Sequence, residues 1–120
     1  MINDTATVIC LTTELGDPGA KSFVIPYREQ SVEGILLHWQ SQWLGYRNEC
    51  PHTGINLNWL PDQFFDLRQQ YLQCGMHGAL FEPVNGYCVW GPCRGMSLIA
   101  LPIRVEGQHV YLETASLDVK

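Results

Sequence analysis

Cys50-Pro51-His52-Thr53-Gly54 and Cys74-Gly75-Met76-His77-Gly78 are the two stretches from which the rest of this 120-residue chain is read. Each short motif offers one thiolate and one imidazole, and the second repeats that pair 24 to 25 positions after the first. Thiolate together with imidazole suits only a few metal centres. Two of the chain's four histidines fall in these motifs. Loops of this kind, brought face to face, make a Cys₂His₂ metal pocket from Cys50, His52, Cys74 and His77.

The order of the ligands narrows the metal. A structural zinc finger of the Cys₂His₂ kind groups its two cysteines and its two histidines separately. Here each loop is mixed, Cys-x-His first and Cys-x-x-His second. In a Rieske centre, two cysteines hold one iron of a [2Fe–2S] cluster and two histidines hold the other. Two loops that each supply one Cys and one His in the same order clamp such an elongated cluster from both sides. A single zinc ion has no need of that alternation, and zinc in the same pocket is the alternative reading.

The two loops resemble the cluster loops of Rieske-type iron–sulfur proteins, the soluble Rieske ferredoxins among them. Downstream, Gly91-Pro92 is similar to the proline loop that this family folds over its cluster. Leu98 to Ile103 and Val105 to Leu112 are similar to its closing strands. The resemblance covers roughly residues 34 to 113. One departure is that 21 residues separate His52 from Cys74, more than the tighter linker common in small Rieske ferredoxins. The resemblance implies one [2Fe–2S] cluster held by Cys50, His52, Cys74 and His77. It also implies an all-β fold, a Rieske-like antiparallel β-sandwich with an inserted cluster-binding subdomain at about residues 46–94, in a base formed by 6–45 and 95–113. Respiratory members carry a disulfide between the cluster loops, but the matching positions here are Ile55 and Met76. They also carry a Ser and a Tyr two and four residues beyond the second histidine, where this chain has Ala79 and Phe81. With those sulfur-directed donors gone, the expected potential lies toward the low end of the Rieske range of about −150 to +300 mV.

Composition bounds the rest. Apolar residues make up 46% and charged residues 16%, which describes one globular domain rather than a disordered chain. A formal net charge of −5 argues against nucleic acid. It suits instead a redox partner with a basic docking patch. No apolar run approaches the ~18 residues of a membrane helix. The N-terminus, Met1-Ile2-Asn3-Asp4-Thr5, has no basic lead into an apolar stretch, so the expected location is cytoplasmic, with no membrane partner. Five cysteines, an odd number, argue against a disulfide scaffold.

Along the chain the pattern is mostly β. Thr7 to Leu11 and Ser22 to Ile25 are short β-rich runs. Ile35 to Trp39 and Trp43 to Arg47 flank Gln40-Ser41-Gln42 as a hairpin. Asn85-Gly86 is a hairpin turn signal between Leu80–Glu82 and Tyr87–Trp90. Val105 to Leu112 turns at Glu106-Gly107-Gln108. Only Pro61 to Gln69 has the start signals of a helical turn. The aromatic-rich stretch from Asn58 to Leu67 reads as a small satellite cluster packed on the subdomain. Cys10 reads as a core residue, and Cys88 and Cys93 as structural thiols close enough to face one another or approach the cluster, with a redox-active pair as the alternative; His38 and His109 read as structural or surface residues.

A Rieske cluster moves one electron and does not activate substrate, because both irons are fully ligated. A mononuclear oxygenase iron needs two His and one carboxylate, and His38 and His109 offer no supporting spacing. The leading function is therefore a soluble electron carrier between a reductase and a terminal oxidoreductase, not an enzyme in itself. The alternatives are a small or accessory subunit of a nitrite reductase or oxygenase system, and a zinc-stabilised interaction module.

Overall fold

The computed structural model of the chain describes residues 6–27, 29–51, 64–74 and 78–114. Three antiparallel sheets account for the described strands. β1 (Thr7–Leu11) pairs with β10 (His109–Leu112), which pairs in turn with β9 (Ile103–Glu106), so the first and last described strands share one sheet. A second sheet runs in the order β2 (Gly19–Tyr27), β3 (Gln30–Trp39), β4 (Gln42–Arg47) and β8 (Ala100–Leu101). The third is small: β5 (Leu72–Gln73), β6 (Leu80–Phe81) and β7 (Cys88–Trp90). No helix among the described residues is long and apolar enough to cross a membrane.

The β2–β3 hairpin is the longest pairing, with partners from Gly19↔His38 to Tyr27↔Gln30. The β-rich run at Ser22–Ile25 extends in both directions, and β3 starts five residues before Ile35. Pro26 is tolerated because β2 is an edge strand, where a missing N–H interrupts no ladder on the open side. At the β3–β4 turn, Gln40 and Ser41 both have positive φ, 49° and 65°. Neither residue is a natural occupant of that region. The carboxylate of Asp17 offsets the strain by accepting hydrogen bonds from Gln40 N at 3.0 Å and Ser41 N at 2.8 Å.

β3 is the shared wall of the molecule. Side chains alternate across a strand, and here both faces are covered. Ile35 and Leu37 belong to a core with Cys50, Phe64, Leu72, Cys74, Phe81 and Cys88. Leu36 and Val32 belong to a second core with Phe23, Ile25, Val110 and Leu112. Gly34 to Leu37 is buried without a break, the pattern of a strand covered on both faces. One core thus anchors the base sheets and the other reaches into the small sheet.

Two expectations need correction. The Leu98–Ile103 run is not one closing strand: Pro102 cannot donate to a ladder, and it divides β8 in one sheet from β9 in another. Its carbonyl instead accepts from Glu113 N at 3.0 Å. The helical turn expected over Pro61–Gln69 is absent from its described part. Phe65 makes a β-bridge to Leu72, Gln69 has φ 55°, and Asp66 Oδ1 accepts from Gln70 N and Tyr71 N. An aspartate that binds nearby backbone N–H groups supports a turn in competition with helix. Of the expected satellite cluster, Phe64 is buried in the core and Phe65 stacks on Trp39, whereas Leu67 is fully exposed. Residues 58–63 lie outside the described residues.

Candidate metal centre

Cys50 and Cys74 leave their strands under tight restraint. At the end of β4, Arg47 N donates to Ile99 O at 2.8 Å and, on the next residue, Asn48 N donates to Glu33 O at 3.0 Å, which fixes the chain just before Cys50. Cys74 directly follows β5, whose Gln73 N donates to Phe64 O at 2.8 Å. Cys74 N then donates to Ala79 O at 2.9 Å and Gly78 N to Cys74 O at 2.8 Å, closing the neck of the second loop. Gly78 has φ +71°, a conformation that glycine adopts without a Cβ penalty. Both cysteines have zero solvent exposure and share one buried cluster. His52 and His77 lie outside the described residues.

The segment 91–96 packs against this neck. Gly91 has φ +109°, and a Cβ there would stand 2.7 Å from the Cα of Ala79, closer than real contacts allow. Gly91 is thus required both by its backbone angle and by the backbone it crosses. Three further bonds tie the segment down: Arg94 N to Gly91 O, Met96 N to Cys93 O and Cys88 N to Met96 O. Cys88 and Cys93 consequently face each other in the interior, with Sγ atoms 3.3 Å apart, as the sequence reading expected. No disulfide is formed by any of the five cysteines. Cys10 is a buried member of the second core, where burial raises its thiol pKa.

Of the other two histidines, His38 is packed and His109 is a surface residue. His38 stacks on Trp43 with ring centroids 4.0 Å apart, and its Nδ1 lies 3.1 Å from Leu15 O. His109 is exposed at the start of β10. Among the described residues, no group of three or more His, Cys, Asp or Glu side chains is arranged to hold a metal ion. Cys50, Cys88 and Cys93 do not form a separate ion site. Two wholly buried cysteines in one cluster, each at the start of a mixed Cys/His motif, fit a metal-bound pair by donor type, since thiolate with imidazole suits few metal centres.

The Rieske [2Fe-2S] domain model matches residues 6–107, and the chain belongs to that family. Its cofactor is one Rieske-type [2Fe–2S] cluster. Among solved structures, the fold is shared with the ferredoxin of carbazole 1,9a-dioxygenase from Nocardioides aromaticivorans IC177, at 16% identity and TM-score 0.70, covering 91% of this chain and 97% of that one. It is shared with a chain from the complex of reduced oxygenase and oxidized ferredoxin in carbazole 1,9a-dioxygenase, at 16% identity and TM-score 0.71, covering 93% and 95%. The terminal oxygenase of carbazole 1,9a-dioxygenase from Novosphingobium sp. KA1 matches at 18% identity and TM-score 0.74, over 91% of this chain but 29% of the oxygenase. A search of curated proteins finds no match. The fold is that of a Rieske ferredoxin.

Proposed function

We propose that the chain is a non-catalytic one-electron carrier of low potential, taking an electron from a reductase and giving it to a terminal oxygenase or related oxidoreductase. The observation that carries this reading is the placement of Cys50 and Cys74, each buried at the head of a mixed Cys/His loop, in a Rieske-family chain. We assign the cluster to Cys50, His52, Cys74 and His77. When bound, the cluster supplies storage of a single electron, at the iron that neutral imidazoles leave less negatively charged. Cys50 and Cys74, both without solvent exposure, would hold the other iron. The loops that carry the histidines belong to the proposed cluster lobe, about residues 46–94, inserted in the base.

Two surface clefts are formed among the described residues. One, of about 280 Å³, lies between β4, β8 and Val84-Asn85, and the other, of about 330 Å³, lies between Pro18–Ala20 and residues 64–69. Neither is lined by Cys50 or Cys74. Trp90 is 61% exposed and its ring edge comes within 3.7 Å of the place a Cβ would take on Gly78, the neighbour of His77. An exposed aromatic there suits transient docking of a protein partner, and the charge of −5 suits a basic one. The ferredoxin complex among the structural relatives supports an oxygenase as that partner. The expected location is the cytoplasm.

Anaerobically purified protein should contain two irons and two sulfides per chain. On reduction it should give an EPR signal whose average g value lies below that of all-cysteine clusters. Protein-film voltammetry should place the potential toward the low end of the family's range, and Ala79→Ser and Phe81→Tyr should each raise it. One zinc and no sulfide would sink the proposal in favour of an interaction module.

A further inference from the structure

Ten large hydrophobic side chains are exposed among the described residues, and five of them, Val84, Tyr87, Trp90, Met96 and Ile99, fall between positions 84 and 99. That stretch is built as a ribbon. Cys88 N donates to Met96 O at 2.9 Å, Leu98 N donates to Gly86 O at 2.9 Å, and Tyr87 bridges Ser97 between them. Side chains alternate across such a pairing. Cys88 and Leu98 turn into the core, whereas Tyr87 and Ser97 turn to solvent. One end of the ribbon meets the base, where Val84 lines the cleft of about 280 Å³ against β4 and β8. The other end meets the neck of the second cluster loop, where the Trp90 ring lies beside Gly78.

Composition sets this ribbon apart from the rest of the chain. The protein carries a net charge of −5, yet residues 84–99 hold no Asp, Glu or Lys, and Arg94 is their one charged side chain. Trp, Tyr, Met and Arg are enriched where proteins bind one another, and Asp, Glu and Lys are depleted there. Exposed apolar patches on a soluble protein mark such sites. Arg94 is exposed, and no ion pair among the described residues engages it. An apolar face with one unmatched guanidinium fits a partner that offers an apolar pocket with a carboxylate at its rim. A second copy of this chain does not offer that. Two copies joined through the same face would bring together ribbons with no carboxylate on either side.

We propose that the 84–99 ribbon is the face that binds the terminal oxidoreductase, with Trp90 as its anchor and Arg94 as its charged contact. The inference rests on the carrier reading and names where that carrier meets its acceptor. A tryptophan offers a large apolar area with few rotatable bonds, and such residues dominate binding energy once a pocket desolvates them. Its place beside Gly78, the neighbour of His77, brings the occupant of this face close to the loop assigned to the cluster. The ribbon continues from there to the base, so a partner seated on both Trp90 and Val84 spans the two regions. The charge of the whole chain has a different part: it draws a basic partner from a distance, and the ribbon makes the contact.

The test uses the loaded, full-length protein in cells of its source, with photoreactive benzoylphenylalanine in place of Met96 or, as a control, of Val24. Val24 is also apolar and exposed, but it lies on β2, at the opposite edge of its sheet from β8. Mass spectrometry of the product cross-linked at position 96 should identify an oxidoreductase that accepts the electron, and position 24 should capture none of it. Capture from neither position, of a second copy of the chain alone, or of a reductase alone would overturn the inference. With the captured enzyme purified, Trp90→Ala should slow electron delivery at subsaturating enzyme by at least about tenfold. Its visible spectrum and potential should stay those of wild type, which separates lost docking from a damaged cluster. Trp90→Phe should recover most of the rate, and Arg94→Glu should lower it by about three- to tenfold. Unchanged delivery by both Trp90→Ala and Arg94→Glu would refute the face. The two claims fail differently. Capture of a redox enzyme equally from positions 24 and 96 would leave the carrier reading standing and remove only the face. Capture from position 96 of a protein with no redox centre would overturn the carrier reading along with the partner assigned here.

Discussion

The β2–β3 hairpin and the β5–β6–β7 sheet are built on opposite terms. The hairpin pairs nine residues with nine, and its core is made of Phe23, Ile25, Val32 and Leu36. The small sheet pairs strands of two and three residues, and Cys50, Cys74, Cys88 and Cys93 lie in the core it shares with β3. Long ladders with apolar faces are stable as sheets, whereas a few short strands have too little ladder and area to hold alone. The difference teaches where the order of each region comes from. The base is held by strand pairing and hydrophobic burial. The small sheet depends on the base it leans on and on whatever cross-links its loops, and in metal sites the binding energy of the metal is also folding energy.

The largest test of this contrast removes the cross-link. In Cys74→Ala, iron content should fall at least about tenfold. Amide exchange should speed up in β5, β6 and β7 while the β2–β3 amides keep their protection, in line with the graded local stabilities of proteins. Equal loss of protection in both hairpins would break the two-region picture.

A smaller effect is expected from Gly91→Ala. The added Cβ meets the Ala79 backbone, which cannot swing aside, at a residue with φ +109°. Overlap and backbone strain together should cost about 2 to 4 kcal/mol. The loss should appear as cluster release at lower denaturant, with the base transition little changed. A coincident shift of both transitions would show that the regions unfold as one unit.

Tyr46 offers the finest probe, because it ties the two regions together. From β4 its hydroxyl donates to Pro83 O at 2.7 Å, and its ring is 2% exposed. Tyr46→Phe leaves that carbonyl without its partner, at a cost of about 1 to 3 kcal/mol. Burial pushes the Tyr46 hydroxyl from 10.0 up to about 12. Below about pH 10 the group is neutral in both states, so the tie is fully present; as pH rises toward 12 the unfolded chain ionises first and stability is lost. The slope in that window should approach about 1.4 kcal/mol per pH unit. Urea unfolding of wild type and Tyr46→Phe at about pH 9 and 11 should show the difference between them shrinking. A constant difference would mean that Tyr46 titrates alike folded and unfolded.

Much of this was legible in the residues alone, where the signal is local. Cys50, His52, Cys74 and His77 point to metal chemistry through donor type and spacing, and the family match agrees with a [2Fe–2S] cluster, which we propose these four residues hold. Asn85-Gly86 announces its turn because few residues accept its backbone angles; Gly86 has φ +74°, and Asn85 Oδ1 accepts from Tyr87 N at 2.9 Å. The β-rich run of β1 and the turn at Glu106-Gly107-Gln108 between β9 and β10 are local signals too, and Gly107 has φ +59°. What tertiary structure alone decided are meetings between distant positions. Asp17 stabilises a turn at Gln40 and Ser41 that neither residue favours. Pro102 hands the chain from one sheet to another, which periodicity cannot register. β3 serves two cores at once, so its continuous apolar run does not say what lies on either side. Cys88 and Cys93 bring their Sγ atoms to 3.3 Å in the interior, where the segment after Gly91 folds back so that Met96 O accepts from Cys88 N. Spacing along the chain encodes which dihedrals and faces are available; which sulfurs come to share a proton depends on how the sheets close around them.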